Sequence, residues 1–221
     1  MTNPKPILFS VILALSFYLL NAQASIIWQG DTINRVDVNG GRQGLWQFAD
    51  NAAGVKIAMH FKNDIAGDTI RYFENNLLRL VYIKSKTDTS RYIYYDAKFM
   101  CTGLFTRTAI DYCSDDKSTN EQIKKFILYE IYPVYYGSRT AIGEYLGEKV
   151  KSFPPDQTGT VKVGFTLDKT GKPTEVKINS SENEKLNSYC IRAIQEMPRW
   201  QAGFQGGAVV TVPMVLPIIC K

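Results

Sequence analysis

The sequence predicts an α+β fold, in which an N-terminal region of antiparallel β-hairpins precedes a small strand–strand–helix–strand domain that has one further helix before it. Two observations predict this fold. A weak repeat of about 23 residues, with aromatic residues and turn-like patches, runs from residue 34 to about residue 103. The last third of the chain shows two alternating strands, then helical spacing, then a further apolar strand. A chain of 221 residues is long enough for two small domains.

The composition is that of an ordinary globular protein, with 45% hydrophobic and 21% charged residues. The net charge of +5 is mild, and the basic residues are not clustered. Because nucleic-acid binding usually needs a concentrated basic face, we expect no nucleic-acid partner.

The first segment, residues 1–24, is predicted to be a secretory signal peptide. An apolar run occupies residues 7–20, and Ala22 and Ala24 supply small residues at the positions that a signal peptidase reads. The run is shorter than the roughly 20 apolar residues of a membrane span. We therefore expect cleavage after Ala24 and a periplasmic location, with an uncleaved inner-membrane anchor as the alternative.

The second segment, residues 25–103, is predicted to be a β-hairpin repeat region. Gly44, Gly67 and Ser90 are 23 residues apart, and each is followed by an aromatic residue and a turn-like patch. A fixed period in the twenties is typical of stacked supersecondary units, so each repeat should form one hairpin. Residues 34–48 resemble the opening of MORN-like repeats of exported bacterial proteins, and this resemblance implies a spacer or an interaction surface.

The third segment, residues 104–130, is predicted to connect the two halves. It begins with a polar, solvated loop. Apolar residues then recur at helical spacing, which indicates a helix over about residues 121–132.

Four cysteines follow the predicted signal peptide: Cys101, Cys113, Cys190 and Cys220. An oxidising compartment permits disulfides among them, and four cysteines allow three pairings. Proximity in the chain favours Cys101 with Cys113 and Cys190 with Cys220, although Cys190 could equally be a small apolar core residue. The spacings do not resemble a zinc site, and the only histidine is His60, so no metal is expected.

The fourth segment, residues 131–221, is predicted to be a second domain. A helix over about residues 138–151 precedes two alternating strands, which a turn containing Gly171 at a positive φ should join. The next helix carries one apolar face and ends at Pro198. Trp200 should close the end of the core, or alternatively stack on a ligand.

The last strand is predicted to lie at the edge of the sheet. Pro213 and Pro217 are four residues apart, so both lack an N–H on the same side of the strand, and prolines are tolerated where no ladder bond is broken. A partner peptide could add to this edge by β-augmentation at Thr211, Val215 and Ile219. Alternatively, the prolines could prevent any such pairing.

The C-terminal part of the chain, about residues 133–220, resembles the TonB C-terminal domain family. The most specific motifs are Met-Pro-Arg-Trp at residues 197–200 and Leu-Pro-Ile at residues 216–218. The resemblance implies a periplasmic domain that binds a short extended segment of an outer-membrane transporter near an aromatic–proline pair. By position, that pair would be Phe153 and Pro154. A short helix usual in the family is missing after this pair, and the chain has no proline-rich linker that could span the periplasm.

Together these observations predict a non-enzymatic periplasmic binding or adaptor protein of the TonB type, linked to outer-membrane transport. Its partner would be an extended segment of an outer-membrane transporter or of another envelope protein. The alternatives are an anchored energy transducer and a structural envelope protein. With one histidine and no phosphate-cradling glycine loop, the sequence predicts no catalytic residues, no cofactor and no small-molecule substrate.

Overall fold

The computed structural model describes residues 24–28, 31–106, 108–135 and 140–221. The predicted signal peptide therefore lies, apart from its last residue, outside the described residues. None of the helices in the described part of the chain is long and apolar enough to cross a bilayer.

The N-terminal half forms an antiparallel sheet whose strands lie side by side in the order of the chain. At two of the tight turns between these strands, Asn63, Asp64, Asn75 and Asn76 all adopt positive φ angles between 49° and 66°, which asparagine and aspartate tolerate. The strands of this sheet are β1 (Ala24–Trp28), β2 (Asp31–Val36), β3 (Arg42–Asp50), β4 (Val55–Lys62), β5 (Ile65–Glu74), β6 (Leu77–Ile83), β7 (Ser90–Tyr95), β8 (Met100–Phe105) and β9 (Ile110–Asp111).

The hairpins confirm the predicted architecture of this region. Gly44, Gly67 and Ser90, the three residues 23 positions apart, lie in β3, β5 and β7, and each of these strands opens a hairpin with the strand that follows it. The likeness of these hairpins to MORN repeats stays a prediction.

The repeat loses its phase in the second hairpin. Trp46 of β3 is buried, and a strict period would place Thr69 at the equivalent position, but Ile70 is the residue buried there. The pairing of β4 with β5 is irregular between Met59 and Phe61, so β5 contains additional residues before Ile70. Such a bulge inserts residues into one strand and resets which side chains face the core.

A helix covers the core face of this sheet. Asp116 caps the N-terminus of helix α1 (Lys117–Ile127), because its carboxylate accepts a hydrogen bond from the backbone N–H of Thr119 at 2.6 Å. Ile123 and Phe126 of α1 are fully buried in the core of the sheet. The segment predicted as a connector therefore contributes to the N-terminal core, because one face of its helix is apolar.

A hairpin from the C-terminal part of the chain also enters this core. Strands β14 (Gly203–Gln205) and β15 (Ala208–Val210) pair with each other, and Phe204 of β14 is 1% exposed. The ring centroid of Phe204 lies 5.4 Å from that of Phe48 and 6.3 Å from that of Tyr72. The boundary predicted at residue 131 stays a prediction, and these contacts cross it.

Hydrogen bonds hold the hairpin in place. The side-chain amide of Gln201 donates to the carbonyl of Ala49 at 2.9 Å and accepts from the N–H of Ala49 at 2.7 Å. Ile131 and Phe204 exchange both backbone hydrogen bonds, at 2.8 and 2.9 Å. Gln201 is buried, and its side-chain amide provides the hydrogen bonds that the backbone of Ala49 would otherwise form with a neighbouring strand.

The elements of the C-terminal half, besides the hairpin, are β10 (Val134–Tyr135), α2 (Ala141–Val150), β11 (Gly159–Leu167), β12 (Pro173–Ser181), a 3₁₀ turn (Glu184–Leu186), α3 (Asn187–Gln195), β13 (Trp200–Gln201) and β16 (Val212–Cys220). Three of the strands form an antiparallel sheet in the order β12–β11–β16, with helix α3 packed on one face. Helix α2 packs beside α3, and the Tyr145 hydroxyl donates to the Ala193 carbonyl at 2.8 Å.

Trp200 closes the end of this second core. Its ring is 5% exposed and lies edge-on to Tyr135, with centroids 5.3 Å apart, and 6.3 Å from Phe165. The indole N–H points at the sulfur of Met197, 3.0 Å away. Trp200 is therefore a core residue, and its face is not available to stack on a ligand.

The cysteines separate into two kinds. Cys101 and Cys113 form a disulfide that ties β8 to the segment after β9, as proximity in the sequence suggested. Cys190 of α3 and Cys220 of β16 are free thiols, both buried in the C-terminal core. The expected second disulfide is therefore absent from this structure, and Cys190 is the small apolar core residue that the sequence also allowed.

The two free thiols should react slowly in the folded protein. Burial raises the pKa of the Cys190 thiol from 9.0 to about 12 and also raises the pKa of Cys220. Because the thiolate is the reactive form, we expect a disulfide-exchange reagent at pH 8 to label both at least about 100-fold more slowly than in urea. Above pH 9 the unfolded chain releases thiol protons that the folded chain retains, so stability should fall as the pH rises.

A Cys190→Ala/Cys220→Ala variant is the control for this experiment and should give no signal even in urea, since the other two cysteines are oxidised. Rapid labelling of the native protein would contradict the burial of these thiols. Absence of thiols from the unfolded wild-type chain would instead show that the two cysteines are joined.

Candidate functional site

Strand β16 is an edge strand. It pairs with β11 along its whole length, from Val212 opposite Leu167 to Cys220 opposite Gly159, without any irregularity. Within the described residues no strand pairs with its other side. Nine residues at about 3.4 Å each give an open edge of roughly 30 Å.

The hydrogen bonds of β11 fix which residues of β16 point outward. The Thr160 carbonyl accepts from the N–H of Glu182 at 3.1 Å, on the β12 side. The odd-numbered residues of β11, which alternate with Thr160, must therefore hydrogen-bond to β16. Their partners in register are the even-numbered residues of β16. The backbone groups of Pro213, Val215, Pro217 and Ile219 consequently face the open edge.

The outward residues offer more acceptors than donors. Four carbonyl groups are available, but only Val215 and Ile219 supply an N–H, because proline has none. Both prolines occupy positions where no bond to β11 is broken, as the edge prediction required.

The side chains along the edge are apolar on both faces of the sheet. On the open face, 52% of Val215 and 57% of Ile219 are exposed. On the face that carries the helices, Met214 and Leu216 are half-buried. Residues 202–220 include no charged residue, so the edge strand itself contributes no charge, although the exposed Lys162 of β11 lies opposite Pro217 in register.

The predicted site residues fall into two groups. Val215 and Ile219 lie on the outward side of β16, and Thr211 is exposed just before the strand begins. Phe153, by contrast, is only 9% exposed and lies in the C-terminal core, with its ring centroid 5.4 Å from that of Tyr189. Pro154 is half-buried. Little of the Phe153 ring can therefore reach a partner.

Two hollows adjoin β16 that the sequence did not indicate. A groove of about 580 Å³ lies at its N-terminal end, lined by Tyr132, Pro133 and residues 208–212 among others. A second hollow of about 500 Å³ lies on the open face of the sheet beside Val215. The first depends on the position of the β14–β15 hairpin, for which the local sequence carries no signal.

The described residues contain no cluster of three or more histidine, cysteine, aspartate or glutamate side chains that could hold a metal ion. His60 is exposed on β4. Asp116, in the polar loop predicted before this helix, is the N-cap of α1. Hydrogen bonds from the backbone and side chain of Thr119 lower its pKa, as expected for a capping carboxylate.

Comparison with known proteins gives one family. Residues 155–219 match the family model described as the Gram-negative bacterial TonB protein C-terminal. No curated protein and no solved structure matches the chain. The match covers less than a third of the chain, from just before β11 to the end of β16, and it begins after Phe153 and Pro154.

The matched segment contains the two motifs on which the resemblance was based, and the edge strand forms its end. The family is a non-enzymatic, envelope-associated interaction domain that takes part in transport and binds outer-membrane transporters and other envelope proteins. Residues 155–219 of this protein are therefore similar to the TonB C-terminal family.

Proposed function

We propose that this protein is a non-enzymatic periplasmic adaptor that binds an extended segment of an outer-membrane transporter, or of another envelope protein, along the open edge of β16. The observation that carries the proposal is the edge itself. It is nine residues long, paired on one side only and lined by exposed apolar side chains. An extended segment that adds to such an edge gains main-chain hydrogen bonds and apolar contacts together.

The backbone groups of Val215 lie near the middle of this edge. Its N–H and carbonyl both point outward, and its side chain is half exposed. A docked strand would exchange two hydrogen bonds with Val215 and two with Ile219, and would donate one each to Pro213 and Pro217. Thr211 continues the surface toward the groove beside Tyr132, where the docked segment would leave the sheet.

The N-terminal sheet serves in this proposal as the support that fixes the start of β16. The β14–β15 hairpin is anchored in the N-terminal core, and Thr211 alone separates β15 from β16. Export by a cleaved signal peptide completes the proposed location. The apolar run at residues 7–20 leaves the anchored energy transducer as the second candidate, and N-terminal sequencing of the mature protein separates the two.

A Val215→Pro substitution tests the docking. Because position 215 points outward, as do the two native prolines, we expect the folded protein to keep its stability within about 1 kcal/mol. The variant loses an outward N–H, and the new ring obstructs the edge, so affinity should fall at least tenfold, roughly the effect of one lost hydrogen bond. The probe is a fluorescein-labelled peptide that copies a short extended periplasmic segment of an outer-membrane transporter of the host, and binding is followed by fluorescence anisotropy.

Val215→Thr is the matched control. It keeps the outward N–H and the branched side chain, and we expect it to bind within about threefold of the wild type. Amide exchange should report slower exchange at Val215 and Ile219 when the peptide is bound to the wild-type chain. If Val215→Pro binds the peptide as tightly as Val215→Thr does, β16 is not the docking edge.

A further inference from the structure

The hydrogen-bonding groups of the open edge determine which strands can add to it. The outward residues Pro213, Val215, Pro217 and Ile219 present a carbonyl at every position but an N–H only at every second one. A partner strand can therefore donate hydrogen bonds to β16 at four positions but can accept hydrogen bonds from it at only two.

A second copy of β16 fits this pattern badly. In an antiparallel pair centred on Val215, Pro213 of each copy faces Pro217 of the other, and two carbonyls meet there without a donor. When the pair is centred on Pro217, the central position has no hydrogen bond. In the register centred on Leu216, each pair of facing residues contains one proline and therefore forms one hydrogen bond instead of two. Each of these registers forms fewer main-chain hydrogen bonds than a strand with an N–H at every position would form, so the prolines oppose association of β16 with itself.

A foreign strand with an N–H at every position fits well. It donates to all four outward carbonyls and receives hydrogen bonds from Val215 and Ile219. Only its carbonyls opposite Pro213 and Pro217 lack a protein donor, and at an exposed edge water can satisfy them.

The side chains add a second requirement. A residue directly opposite Val215 lies beside an exposed apolar side chain on the open face, and the residues next to it lie beside Met214 and Leu216 on the other face. Since the side chains of β16 are apolar and uncharged on both faces, the complementary strand is apolar on both faces at this point rather than alternating.

We propose that the proline pair makes the edge selective for a foreign, proline-free extended segment that is apolar on both faces, and excludes a second copy of the chain. The inference rests on the proposed use of β16 for docking. Two roles were considered for this edge: binding of a partner strand and prevention of unwanted pairing. Both then have one cause, because each depends on whether the incoming strand has an N–H donor at every position.

Sedimentation velocity of the whole protein tests the exclusion. The Pro213→Thr/Pro217→Thr variant regains two outward N–H groups without gaining apolar side chains, so we expect it to self-associate at least about 100-fold more tightly than the wild type. Pro155→Thr/Pro198→Thr, which changes two exposed prolines outside β16, is the matched control and should stay monomeric like the wild type. Thermal melting checks that all variants are folded.

Two peptides test the selectivity directly. One copies residues 212–219, and the other carries threonine in place of both prolines. We expect the threonine peptide to bind the wild-type chain at least about tenfold more tightly, and an excess of it to dissociate the self-associated variant. Equal affinity of the two peptides, or equal self-association of the wild type and the Pro213→Thr/Pro217→Thr variant, would overturn the inference. If these differences appear but no transporter peptide binds, the proposed function fails and the selectivity stands.

Discussion

Replacing Phe204 with alanine should lower the free energy of unfolding by about 3–5 kcal/mol, the usual cost of deleting a buried phenylalanine ring. The reason is its position: Phe204 belongs to the family-matched segment, yet its ring lies against Phe48 and Tyr72 in the N-terminal core. Urea denaturation measures the loss. Amide exchange should show that β3 and β5 open more readily, although the substitution lies 130 residues or more away in the sequence.

Phe99→Ala is the control for this experiment. Phe99 lies at the turn between β7 and β8 and is 41% exposed, so its removal should cost less than about 1 kcal/mol. If the Phe204→Ala protein unfolds at the same urea concentration as the wild type, the hairpin does not pack in the N-terminal core.

Replacing Gly171 with alanine should cost about 3 kcal/mol or more, and should do so in the C-terminal domain. Gly171 has a φ of +81°, which costs roughly 1–2 kcal/mol for any residue with a Cβ. An added Cβ would also overlap the backbone carbonyl of Trp200, which cannot move aside easily because the N–H of Trp200 bonds to the Gly171 carbonyl at 2.9 Å. Relief of the overlap would displace Trp200 from the core.

Gly206→Ala separates the two contributions. Gly206 has a φ of +56°, but an added Cβ meets nothing within 4 Å, so this variant should show the backbone cost of about 1 kcal/mol alone. The difference between the two variants, measured by urea unfolding and by the intrinsic fluorescence of the tryptophans, gives the cost of the overlap. Equal losses for the two variants would mean that Trp200 is not held against the turn.

The features that could be predicted from the sequence are those that depend on neighbouring residues. The hairpins followed from turn residues such as Asn75 and Asn76, whose preferences act within a few positions. The edge position of β16 followed from Pro213 and Pro217, because proline shows directly which side of a strand needs no donor. Both predictions use the chemistry of one residue and its immediate surroundings.

The features that could not be predicted depend on contacts between distant parts of the chain. No local pattern indicates that Phe204 leaves the C-terminal domain, since an apolar residue between glycines suits either core. Gln201 looks like a surface residue until Ala49 is seen beside it. Phe153 was assigned to the docking surface by resemblance. The sequence Phe-Pro does not reveal that the Phe153 ring is buried beside Tyr189.

The shared core has a consequence for dissection of this protein. A fragment cut along the limits of the family match would retain Ala202, Phe204 and Val209 but lose the sheet that covers them. These three apolar side chains would then be exposed to water, next to an edge strand with no partner on one side. An exposed apolar patch and an open strand edge each promote aggregation. The family match is thus shorter than the set of residues that share this core.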